Sequence, residues 1–175
     1  MTPSFAQALS VPIATPRLVL EPLLGSHADE LFGVLQDPRT HTWIPAPESR
    51  TVEALRERWT RSESRLSPDG REAWLAWAIR IGSNGTCIGR LDATVSELLW
   101  VTNLGYVVAA DHWGRGYATE AVAAGVARLF GGGVRGCDAF VATGNVASRR
   151  VLTRLGFETV GSVDGEVKFT RAAPV

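Results

Sequence analysis

The residues best suited to chemistry form one run, Trp113-Gly114-Arg115-Gly116-Tyr117-Ala118-Thr119. A β-like stretch with Leu104, Tyr106, Val107 and Val108 leads into it, and helical periodicity follows from Thr119 to Phe130. A strand, a glycine-bearing turn and a helix start gather backbone N–H groups around one point, where an anion can bind. Positions 114, 116 and 118 carry no bulky side chain, so those amides are open to approach. Hydrogen bonds to a charged group contribute about 1.5–3 kcal/mol each, so roughly four or five would offset much of the desolvation of a diphosphate. The same small residues also suit tight strand-to-helix packing. A stripe of Ala118, Val122, Val126 and Leu129 fits either use.

The turn lacks the Lys-Ser/Thr ending of a P-loop, and Thr119 stands where a dinucleotide fingerprint has its third glycine. No acidic residue about twenty positions on is suited to a ribose. A second constellation lies downstream. Asn145 reads as the N-cap of a helix with Val151, Leu152 and Leu155 inward, and Ser148 falls at its third position.

The elements that must position these groups follow in order. Residues 1–14 show no period and read as a loosely held N-terminal arm, ahead of a single domain over 15–175. Arg17 to Pro22 reads as a strand, and Ser26-His27-Ala28-Asp29 as a capping box opening a helix that stops before Pro38. The loop Asp37 to Ser49 contains Trp43, which either lines a pocket or pins the loop to the core. Thr51 opens a helix with Val52, Leu55 and Trp59 inward. Trp74 to Ile81 and Thr86 to Val95 form a hairpin about Gly82-Ser83-Asn84-Gly85, followed by a strand from Leu98 to Val108. After the long helix come a strand from Cys137 to Ala142, the Asn145 helix, and a closing hairpin about Asp164-Gly165. The order β-α-α-β-β-β-α-β-α-β-β predicts an α+β fold, a mixed sheet with helices packed on it.

Bulk properties narrow the partners. The 175 residues suit one domain that needs neither metal nor disulfide for stability. Eighteen basic residues balance eighteen acidic ones, so charge favours neither nucleic acid nor an anionic membrane as partner. Cys87 and Cys137 have no metal-like spacing and read as reduced core thiols of a cytoplasmic protein.

The chain resembles the GNAT superfamily of N-acetyltransferases, in the RimJ/RimL-type branch of ribosomal-protein N-terminal acetyltransferases. The marks are Thr15-Pro16-Arg17-Leu18-Val19-Leu20, Leu104-Gly105-Tyr106, Trp113 to Ala121, Asn145 to Leu152 and Leu155-Gly156-Phe157, spanning about residues 15–161. The resemblance implies a mostly antiparallel, twisted sheet of six to seven strands flanked by four helices and splayed around acyl-CoA. Acetyl-CoA is then the donor and no metal is needed. Val107 and Val108 would pair with the pantetheine arm, and Gly114, Arg115, Gly116, Tyr117, Ala118 and Thr119 would hold the pyrophosphate. Asn145 would both cap its helix and bond the arm, while Arg149 or Arg150 would meet the 3′-phosphate or simply face solvent. The amide near Val108 would polarise the thioester, and Ser148 would protonate the leaving thiolate. Relatives that use a tyrosine for that last task have no obvious equivalent here.

Where many relatives carry a glutamate, this chain has Asn103, which accepts no proton at neutral pH. Asp92, Glu97, Asp111 and His112 are the candidates for a base, with none singled out. An α-amine has a pKa of about 7.7–8 against about 10.4 for lysine, a gap of roughly 3.4 kcal/mol. A site without a strong base therefore suits a peptide N-terminus or a small low-pKa amine. A polyamine would favour an acidic pocket, and the loop from Thr40 to Ser49 offers only Glu48. A non-catalytic acyl-CoA sensor or scaffold is the rival, and either a monomer or a homodimer is compatible with the sequence.

Overall fold

The computed structural model describes residues 1–43 and 49–174; Glu48 lies outside them. The helices are α1 (Pro3–Leu9), α2 (Ala28–Gln36), α3 (Val52–Arg61), α4 (Tyr117–Gly131) and α5 (Val146–Arg154). The strands are β1 (Ile13–Ala14), β2 (Leu18–Pro22), β3 (Ala73–Ile81), β4 (Cys87–Val95), β5 (Trp100–Val108), β6 (Gly136–Ala142), β7 (Glu158–Val163) and β8 (Glu166–Ala172). They form one eight-stranded sheet in the order β1-β2-β3-β4-β5-β6-β8-β7.

Each neighbouring pair is antiparallel except β5 and β6. Those two run parallel and register only at Trp100 with Gly136 and Val101 with Cys137. Past Val101 they part, and a cleft opens in the middle of the sheet.

Alternation along β3 sorts side chains to two cores. Leu75, Trp77 and Ile79 join Leu9 of α1, Val122, Val126 and Leu129 of α4 and Leu152 of α5. Ala78 faces Leu31 of α2 and Leu55 and Trp59 of α3. The sheet is therefore covered on both faces, which fits its long apolar strands. The α+β class and mostly antiparallel sheet agree with the sequence reading, with eight strands and five helices among the described residues.

The N-terminal segment departs from expectation. Instead of a loose arm, Pro3–Leu9 is a helix capped by Thr2, whose side chain accepts the Phe5 N–H. Its Ala6 and Leu9 are buried in the main core. Trp77 Nε1 then donates to the Val11 carbonyl at 3.0 Å, and Ile13–Ala14 adds a strand to β2. The Ser26 box also differs: Ser26 lies in a short 3₁₀ turn, and His27 Nδ1 accepts the Leu24 N–H at 2.9 Å. The long helix begins at Tyr117, two residues before its periodicity becomes legible. Both cysteines are buried and free, and burial pushes the Cys87 thiol up to about 11.

Candidate active site

The parting of β5 and β6 leaves a cavity of about 580 Å³. Its floor comes from one face of β4 and β5, with Arg90, Asp92 and Thr94 beside Asn103, Gly105 and Val107. These residues pair across the strands as Arg90 with Val107, Asp92 with Gly105, and Thr94 with Asn103. The far wall is β6 with Asn145 and Ser148 from the start of α5, and His41 and Trp43 close the near side. A Cβ on Gly144 would stand 2.8 Å from the Trp43 ring, so the indole spans from one wall to the backbone of the other. Of its two sequence readings, lining a pocket is the one the structure supports.

Backbone direction along β5 follows from one bond. The Ala109 N–H donates to the Ile88 carbonyl at 2.7 Å. In an antiparallel pair, residues alternate between bonding the partner strand and facing away from it. Val108 and Tyr106 therefore turn their backbone groups from β4 toward the cleft, while Val107 turns its own toward β4. The Val108 carbonyl already accepts Trp113 Nε1 at 2.7 Å, which leaves its N–H. Val107 contributes its side chain to the wall and turns its backbone toward β4, whereas Tyr106 turns its backbone groups toward the cleft.

At the far wall, Asn145 Oδ1 accepts the Ser148 N–H at 3.0 Å, as a helix cap requires. The Tyr106 hydroxyl lies 2.6 Å from Ser148 Oγ and 3.3 Å from the Ser148 carbonyl. Burial pushes the Tyr106 phenol up to about 12, only partly countered by the Ser148 bond, so it stays protonated at neutral pH. Either hydroxyl can donate across the shorter contact; in the arrangement where Tyr106 donates, the Ser148 proton is left for a third group.

The glycine turn lies beyond the end of β5, outside the lining of the cavity. Gly114 and Gly116 have φ of 74° and 79°, a region where a side chain is strained. Gly116 is the N-cap of α4 and provides no side-chain bond. The first helical bond back is from the Glu120 N–H to the Gly116 carbonyl, so the amides of Tyr117, Ala118 and Thr119 have no partner within the helix. An exposed turn followed by three such amides fits a pyrophosphate.

These features coincide with a sequence family. Residues 17–158, well over half of the chain, match the family described as "Acetyltransferase (GNAT) domain". The chain belongs to the GNAT acetyltransferase family. Solved GNAT structures share its fold. A ribosomal-protein-S5-alanine acetyltransferase from Vibrio fischeri is 17% identical, with a TM-score of 0.77, covering 93% of this chain and 97% of its own. RimJ from Mycobacterium smegmatis, in complex with CoA-disulfide, is 24% identical with a TM-score of 0.72, covering 93% and 86%. A GNAT acetyltransferase from Bacillus anthracis is 15% identical with a TM-score of 0.75, covering 93% and 98%. No curated protein matches the chain in sequence. No helix among the described residues is long and apolar enough to cross a membrane.

Within this GNAT fold the four candidate bases separate. Asp92 lines the cleft. Glu97 lies 3.8 Å from the N-terminal amine, Asp111 binds Arg39 at 2.9 Å, and His112 belongs to the turn ahead of Trp113. None of these three lines the cavity. Arg149 and Arg150 sit beside a separate surface depression on α5.

Two sets of contacts escaped the sequence reading. Tyr106 stood there only within the strand mark Leu104-Gly105-Tyr106, with no link to Ser148. Arg17 clamps the turn: its Nε donates to Glu120 Oε2 at 2.6 Å, its N–H to Glu120 Oε1 at 2.9 Å, and its Nη1 to the Arg115 carbonyl at 2.9 Å. Its guanidinium also lies 4.8 Å from the Tyr117 ring centre. Burial would push the Glu120 carboxyl up, but hydrogen bonds from Thr15 and Arg17 outweigh it and hold the carboxyl below its usual range. Both ends of the clamp lie inside the family motifs, which is the signal that could have joined them.

Proposed function

We propose that this GNAT enzyme is of the RimJ/RimL-like branch and transfers an acetyl group from acetyl-CoA to the α-amine of a peptide N-terminus. The observation that carries the reading is the unpaired side of β5, opposite a serine hydroxyl and followed by a glycine turn with unbonded amides. Acetyl-CoA supplies an activated thioester. The amides of Gly114, Arg115, Gly116, Tyr117, Ala118 and Thr119 hold its pyrophosphate, and Tyr106 and Val108 align its arm along the strand. Val107 packs beside that arm, and the Asn145 amide group not used in the cap bonds it.

The Val108 N–H polarises the acetyl carbonyl, stabilising the charge that develops there during attack. Ser148 gives its proton to the departing sulfur, and Tyr106 holds the serine oxygen in place. An α-amine suits the cleft because about a tenth of such amines are free base at neutral pH. The likeness to the Vibrio fischeri S5-alanine acetyltransferase and to RimJ supports a peptide acceptor over a small amine.

Asn103 favours a second reading, an acyl-CoA-binding sensor without turnover, because an amide cannot take a proton. The experiment is acetyl transfer to a panel of N-terminal peptides and small amines, read by mass, alongside thermal shift with acetyl-CoA. Acetylated α-amines support the proposal. Binding without any transfer supports the sensor, and no melting shift sinks both.

A further inference from the structure

The family reaction leaves one proton without a destination in this chain. An ammonium acceptor loses two protons on becoming an amide: one reaches the leaving thiolate, and the other needs a base. On β5 the polar side chain lining the cleft floor is Asn103. The neighbouring strand carries a carboxylate on the same face. Asp92 lies directly opposite Gly105, and Thr94 opposite Asn103, so Asp92 and Asn103 are diagonal neighbours on the cleft floor. Such neighbours lie within about 7–8 Å of each other.

Gly105 leaves the space above it to that carboxylate: a Cβ there would stand 4.0 Å from Asp92 Oδ2. Asp92 is thereby held over the backbone of β5, next to the residues whose polar groups turn toward the cleft. Arg90, from its own strand, orients it with Nε 3.3 Å from Oδ2. The other titratable groups lining the cleft are His41 from the turn after α2, Tyr106 from β5 and Glu166 from β8. His41 meets the Leu35 carbonyl through Nε2 at 2.6 Å. Tyr106 is engaged with Ser148.

We propose that Asp92 is the proton acceptor for the incoming amine, replacing from β4 the carboxylate that β5 lacks at Asn103. The proposal rests on the acetyltransferase reading above. In the step, Asp92 takes a proton from the ammonium and releases it to water. The nitrogen lone pair forms the C–N bond, the C–S bond breaks, and the sulfur leaves with its electron pair and collects a proton from Ser148. The nitrogen gives up its second proton, which restores the Ser148 hydroxyl by way of water.

The test compares kcat/KM of wild type and Asp92→Asn against pH, using the best peptide from the acceptor panel. Asp92→Asn is expected to lose about 100-fold near pH 7, within the usual span for general-base catalysis. The loss shrinks to about tenfold or less near pH 9, where an α-amine of pKa about 8 arrives already deprotonated. Acetyl-CoA affinity, measured by calorimetry, stays unchanged. Adding Asn103→Glu to Asp92→Asn returns a carboxylate to the same face and regains roughly tenfold or more. Asp92→Ser is measured the same way and decides the matter if the amide variant fails to fold. A variant with wild-type kcat/KM at pH 7, or with a loss that does not vary with pH, overturns the proposal while leaving the transferase reading intact. A wild-type protein that binds acetyl-CoA and acetylates no amine overturns both.

Discussion

Ser148→Ala separates the two duties of that serine. Its backbone N–H, bound to Asn145 Oδ1, survives the substitution, so the helix cap remains. The hydroxyl is lost, and with it the 2.6 Å contact to Tyr106. Tyr106 is not stranded, because the carbonyl of residue 148 lies 3.3 Å from its oxygen and remains an acceptor. The stability cost is thus one exchanged hydrogen bond, about 0.5–1.5 kcal/mol. For a chain of this length that lowers Tm by roughly 1–6 °C.

Catalysis should suffer differently. A positioned general acid contributes about 10²–10⁴-fold. Ser148 is half-buried, so water can substitute in part, and the lower end applies. The expected fall in kcat is about 100-fold, or about 2.7 kcal/mol on the barrier. Tyr106→Phe keeps the ring and removes only the partner hydroxyl, so kcat falls by about tenfold, below a full general-acid contribution. Because Tyr106 acts through the serine, the double variant should be no slower than Ser148→Ala alone. Thiol release under saturating acetyl-CoA and acceptor measures kcat, and calorimetry measures acetyl-CoA affinity. Wild-type turnover in Ser148→Ala, or losses that multiply in the double variant, would refute the assignment.

Two further outcomes follow from the clamp and the turn. Glu120→Gln weakens the carboxylate's bonds to Thr15 and Arg17 and should destabilise at pH 7 by about 1–2 kcal/mol, discounted because Arg17 is nearly half exposed. The folded-state carboxyl lies below its ordinary 4.5, so its contribution is present above that pH and fades as pH falls through the folded value. The Tm gap between wild type and variant should therefore begin to narrow below pH 4.5 and close as the pH falls through the folded value, in a melting series from neutral to acid. Gly116→Val forces a branched side chain to φ of 79° and brings a Cβ within 3.4 Å of Arg17 Nη2. It should cost about 1–2 kcal/mol of stability and weaken acetyl-CoA binding by roughly tenfold or more through a displaced amide. Unchanged affinity by calorimetry would place the pyrophosphate elsewhere.

The strand, turn and long helix were legible in the sequence because they rest on local rules: alternation, glycine at positive φ, and helical period. The short helix Pro3–Leu9 was not, since two turns show too few apolar positions to establish a period. Thr2 followed by Pro3 was the available sign of its start. The pairing of Tyr106 with Ser148 joins residues 42 apart in sequence, across a helix and a strand, and no spacing rule connects them.

Which of the four candidate bases reaches the cleft was hidden by register. Counting back from Val95 opposite Val101 would set Asp92 beside the buried Leu104. A bulge between Thr94 and Val95 shifts the pairing by one and sets it opposite Gly105 instead. One extra residue thus decides which carboxylate shares a face with Asn103.

The two-pair junction between β5 and β6 has a consequence for the ligand-free protein. Although β5 stands fifth among eight strands, it carries the hazard of an edge strand for most of its length. Outer strands are commonly defended by charge, proline or brevity, but β5 is long and bears Leu104, Val107 and Val108. Its defence is recess. The Trp43 indole against Gly144, and the depth of the gap, keep another chain's strand from docking there, while a slender thioester arm can enter. On the proposed reading the donor arm acts as a removable ninth strand: amide exchange at Tyr106 and Val108 should slow when acetyl-CoA binds, while the protein without ligand should show no self-association through this strand.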